Sequence, residues 1–88
     1  MSRLQHRFAA RAYNLCCEAE AYGFVNSGWL PPARLDDDHL QVWVATLLGR
    51  CNHLAEFLLR ATLVYPEAAH TLNRVRRLVK DYRRGHLG

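Results

Sequence analysis

The chain has 88 residues, half of them apolar and 23% charged, with twelve basic residues against eight acidic ones. That length holds a single domain burying roughly 60–65% of its unfolded surface, and the apolar share is too high for a disordered segment. Met1-Ser2-Arg3-Leu4 lacks the basic-then-apolar start of a secretory leader, and the apolar stretch 42–64 is cut by Arg50, Asn52, His53, Glu56 and Arg60; both argue for a cytoplasmic protein with no membrane span. Adjacent Cys16 and Cys17 would make a strained bridge, and three cysteines with Cys51 cannot pair completely, so reduced thiols are expected.

Leu4, Phe8, Ala12, Leu15, Ala19 and Tyr22 are spaced by four and three, which predicts an amphipathic helix over about 3–22 stopped by Gly23. Arg3, Arg7 and Arg11 lie on another face of it. Residues 23–35 carry Gly23, Gly28 and Pro31-Pro32 and cannot continue a helix. Phe24, Val25, Trp29 and Leu30 make this an apolar linker. Each large side chain left in water there costs about 1.5–3 kcal/mol, so the segment is expected to dock on the helices or on a partner.

Asp36-Asp37-Asp38 supplies carboxylates for the free N–H groups of a second helix, predicted over 37–64. Leu40, Val44, Leu47, Cys51, Leu54, Leu58, Ala61 and Tyr65 keep a 3.5-residue repeat along it, the spacing of a helix packed lengthwise on another. Trp43, Leu48, Ala55, Phe57 and Val64 widen that seam until only a narrow polar strip remains. A helix so apolar belongs at the centre of an assembly. With only two other helices to cover it, homodimerisation is the expected remedy.

Pro66 and Glu67 suit the first turn of a third helix, predicted over 66–84 with Ala68, Leu72, Val75, Val79 and Tyr82 inward and Gly85 as its stop. The expected fold is therefore all-α: a three-helix antiparallel bundle or helical hairpin with a long central helix, completed by a second copy.

Little in the chain points to catalysis. Its only serines are Ser2 and Ser27, outside any nucleophile-elbow or phosphate-loop pattern, and Glu18, Glu20, Glu56 and Glu67 read as surface or capping groups. Cys16, Cys17, Cys51 and His53 are the best metal-ligand set, but no pair has the spacing of a structural zinc site, so no metal or cofactor is expected. Cys51 reads as a small core residue, and no basic neighbour in sequence activates Cys16 or Cys17. The five histidines read as solvated or capping groups, and His53, Glu56 and Arg60 as a solvated strip.

Binding is the better-supported reading. Tyr22, Phe24, Trp29, Leu30, Trp43 and Phe57 form an aromatic and apolar surplus near helix ends and in the linker, of the residue types that often carry interface energy. The positive charge is concentrated in residues 74–84, at +5 against −1 for the rest of the chain. Arg76, Arg77, Lys80, Arg83 and Arg84 could there neutralise phosphates and bind nucleic acid.

Gln41-x3-Ala45-x3-Gly49, with Val44 and Leu48, resembles the first helix and turn of a helix-turn-helix motif, which would imply DNA binding. The pattern departs at Arg50, which takes an apolar turn position, and at Phe57-Leu58-Leu59, where base-reading residues should stand. The unbroken repeat through Gly49 argues for one continuous helix instead. The favoured expectation is a small regulatory or adaptor protein that binds and inhibits or modulates a partner protein through an apolar helical face. In architecture it looks like the small helical anti-activators of bacteria and their phages, whose targets include transcription regulators.

Overall fold

A computed structural model of the chain describes residues 2–25 and 37–87. It contains three helices that all touch one another: α1 (Ser2–Glu18), α2 (Asp37–Ala61) and α3 (Ala68–Arg84). A 3-10 turn, Ala19–Tyr22, extends α1, and no strand occurs among the described residues. The all-α class and the long central helix agree with the sequence reading. Trp29 and Leu30 of the predicted linker lie outside the described residues.

The α1 spacing works as its pattern requires. Phe8, Ala12, Leu15 and Ala19 are buried, Leu4 and Tyr22 flank them, and Cys16 joins the same buried face. At its end the chain tightens into i→i+3 bonds and then turns on Gly23, whose φ of 97° is open to glycine and costly for other residues. The Gly23 and Phe24 N–H groups return to the Glu20 and Ala19 carbonyls, at 3.0 and 3.2 Å. Those bonds satisfy carbonyls that the helix end would otherwise leave open.

α2 runs unbroken through Gly49, so the turn that a helix-turn-helix would need there does not exist. Leu40, Val44, Leu47, Cys51, Leu54 and Leu58 are all buried within one chain. The seam needs no second copy to leave water, because α1 and α3 cover it from two sides.

Two helix boundaries differ from expectation. α2 ends at Ala61 and not at 64, and α3 begins at Ala68 and not at 66. Pro66 is the cause of both. It has no N–H to give to the Thr62 carbonyl, and its ring collides with that carbonyl in a continued helix. The chain therefore tightens before it: Leu63 N–H bonds to Arg60 O at 3.1 Å and Val64 N–H to Ala61 O at 3.0 Å. The Thr62 hydroxyl donates to Leu59 O at 2.6 Å. Beyond it, Ala68, Ala69 and His70 donate three residues back, so 66 and 67 form a turn preceding the first full helical turn.

α3 also presents a different face from the one its spacing predicts. Ala68, Leu72 and Val75 are buried as expected, but Thr71 and Leu78 are buried too, while Val79 and Tyr82 are only half-buried. A helix wedged between two others covers a wider arc than one packed on a single neighbour. Leu78 turns toward α1, and the Tyr82 ring stacks on Phe8 with centroids 4.4 Å apart. Gly85, at φ 71°, ends the helix, and Leu87 then folds back beneath α1, where Arg7 Nη1 donates to its carbonyl at 3.3 Å.

Candidate interaction surface

The aromatic residues selected from the sequence are only partly available for binding. Phe24 and Phe57 meet at 5.4 Å with a tilt of 58°, and the Arg50 guanidinium lies 5.5 Å from the Phe24 ring centroid. Tyr22 meets Tyr65 at 5.7 Å. Tyr22, Phe24 and Phe57 thus close the corner between α1 and α2, half-buried against the core. Such ring pairs are worth about 0.5–1.5 kcal/mol beyond their burial. Trp43 is likewise half-buried on α2.

Among the described residues the exposed large apolar side chains lie elsewhere: Val25, in the linker expected to dock, is 71% exposed and Val42 66%, and the others gather at the end of α2 and in the turn after it. Leu59 is 54% exposed, Leu63 88%, Val64 71% and Tyr65 43%. Sequence reasoning placed Val64 and Tyr65 on or beside the seam and did not single out Leu63. Ending α2 three residues early takes Val64 and Tyr65 off the helix face that the repeat assigns them. The available signal was Pro66, whose effect reaches back four residues to Thr62.

The predicted basic face of α3 is divided between two grooves. Arg76, Lys80, Arg83 and Arg84 line a groove of about 360 Å³ between α3 and α2. Arg77 points to the other side and lines a groove of about 220 Å³ with Arg11 and Asn14 of α1. Arg3 and Arg7 continue that side along Leu4 and Gly85. Packing of α1 on α3 therefore brings Arg11 beside Arg77, far apart in sequence, with Asp81 in the same groove. Arg74 is held at their edge by Glu18, with Nη1 2.7 Å from both carboxylate oxygens.

The thiols divide by burial. Cys16 and Cys51 are buried and Cys17 is exposed. Burial pushes the Cys51 thiol up to about 12, with the nearby Cys16 acting in the same direction. Burial also raises Cys16, against the opposing pull of the Arg50 guanidinium. Arg50 is the basic neighbour that sequence adjacency could not show, since it reaches Cys16 from the facing helix. Cys17 takes part instead in a hydrogen bond with Tyr13, one turn away, which raises the Tyr13 phenol. Among the described residues no group of three or more His, Cys, Asp or Glu side chains is placed to hold a metal ion. Nor is any described helix long and apolar enough to cross a membrane.

No family model matches the chain, and neither a curated protein nor a solved structure is significantly similar to it.

Proposed function

We propose that the protein is a small regulatory or adaptor protein that binds a partner protein and inhibits or modulates it. The observation that carries this reading is the exposed group Leu59, Leu63, Val64 and Tyr65, at the end of α2 and in the turn after it. Large apolar side chains gathered in water on a small domain favour a contact site. Two of its residues, Leu63 and Val64, hold no place in the core, so their chemistry is free to serve a partner.

The test is capture of partners from cells of native origin, on the parent chain and on a Leu63→Ser/Val64→Ser variant. A partner protein should survive nuclease and moderate salt on the parent and be lost on the variant, with the helical circular dichroism unchanged. Equal retention on both would refute this surface as the contact.

A second reading, nucleic-acid binding, is favoured by Arg11 and Arg77, which line one groove together with Arg74 and Asp81, and by Arg3 and Arg7, which line another beside Leu87. Binding there would fall steeply as salt rises, because it rests on counterion release. The serine variant would leave it intact.

A further inference from the structure

The α2/α3 groove combines two chemistries on one strip. Its floor is apolar, made by Ala55 of α2 and by Val75 and Val79 of α3. Among the described lining residues the charged ones all come from α3: Arg76, Lys80, Arg83 and Arg84. Leu59 stands four residues past Ala55 and seven past Asn52, hence on the same face of α2 one and two turns further along. The apolar floor therefore runs on from Ala55 to the exposed Leu59.

From this arrangement we infer that the groove seats an acidic amphipathic helix of the partner protein, apolar residues downward and carboxylates against the α3 bank. This rests on the protein-binding reading and names the chemistry of the partner segment. A helix laid along α2 and α3 turns the three-helix unit into a four-helix one, with its apolar residues at helical spacing over Ala55 and Leu59. The charge on a single bank sets its orientation.

Charge counts against a second copy that presents α1 or α3 as the occupant. Ser2–Tyr22 and Ala68–Arg84 together carry nine basic residues against three acidic ones, so a copy presenting α1 or α3 would set like charges together. Nucleic acid would satisfy the cations but leave the apolar floor against a phosphate backbone. Among the described residues no aromatic ring lines the groove on which bases could stack.

The experiment uses the full chain and a fluorescein-labelled peptide of about 18 residues, with leucines at helical spacing and glutamates elsewhere. A peptide of identical composition with scrambled leucines and an oligonucleotide of about 20 bases serve as competitors. The patterned peptide should bind best. Arg76→Glu/Lys80→Glu and, separately, Leu59→Ser should each weaken it by about tenfold, while both variants keep the parent's circular dichroism and melting temperature.

Equal binding of the scrambled peptide would overturn the inference, as would tighter binding of the oligonucleotide that ignores Leu59→Ser. Self-association abolished by Leu59→Ser would make a second copy the occupant and overturn it too. Should a cellular partner be lost with Leu63→Ser/Val64→Ser yet bind Arg76→Glu/Lys80→Glu at full strength, the groove inference falls while the protein-binding reading stands.

Discussion

Leucine to alanine at positions 54 and 63 should give opposite results, although the two residues are nine apart and chemically identical. Leu54 is fully buried at the centre of α2, and Leu63 is 88% exposed. Truncating Leu54 removes three carbon groups from the core at about 0.8 kcal/mol each, or about 2.4 kcal/mol of transfer free energy. The cavity term raises this to roughly 3–4 kcal/mol, because helices anchored on both sides of α2 relax only partly. A domain of this length has about 4–13 kcal/mol of stability in total, so a large share is lost. The unfolding entropy of such a chain near 60 °C is about 0.18 kcal/mol/K, which converts the loss to a fall in melting temperature of about 15–20 °C. Leu63→Ala should move it by no more than about 2 °C. Thermal melts followed at 222 nm, repeated over a range of protein concentrations, decide the matter. Equal destabilisation by the two variants would show that the exposed turn is packed in solution. A melting temperature that rises with concentration for the parent, and not for Leu63→Ala, would mean that a second copy covers the turn.

Glycine substitutions test the continuity of α2. Gly49 is helical, and a methyl group added there meets nothing within 4 Å, so Gly49→Ala should stabilise the protein by about 0.5–1 kcal/mol. Gly85→Ala should destabilise it by about 1 kcal/mol, because a side chain is strained at φ 71°. Urea denaturation separates the two, and a loss of stability for Gly49→Ala would restore the turn reading. Alkaline pH tests the buried thiols. Above the ordinary thiol value of 9.0 the unfolded chain releases a proton that folded Cys51 keeps until about 12. Stability should therefore fall by about 1.4 kcal/mol per pH unit across that window, with Cys16 adding in the same direction. Urea midpoints between about pH 8 and 11 should decline less steeply for Cys51→Ala than for the parent. Parallel declines would place Cys51 in water.

The spacing of apolar residues was enough to determine the three helices and most of the core. Periodicity records which side chains avoid water, and Phe8, Ala12, Leu15, Leu40, Val44, Leu47, Leu54 and Leu58 all lie buried where it puts them. Pro66 and Gly85 likewise announce their breaks, since the missing N–H and the positive φ are properties of single residues. The candidate surfaces were legible only in part. The cations of α3 were visible as a run, but not that Arg77 faces α1 while Arg76 and Lys80 face α2, which depends on where two other helices lie. Nor could the chain disclose that Tyr22, Phe24 and Phe57 pack against neighbouring rings and the core while Leu59 and Leu63 stay in water. An apolar side chain has the same composition whether a neighbour covers it or not, and only the packing of distant segments decides which are left for a partner.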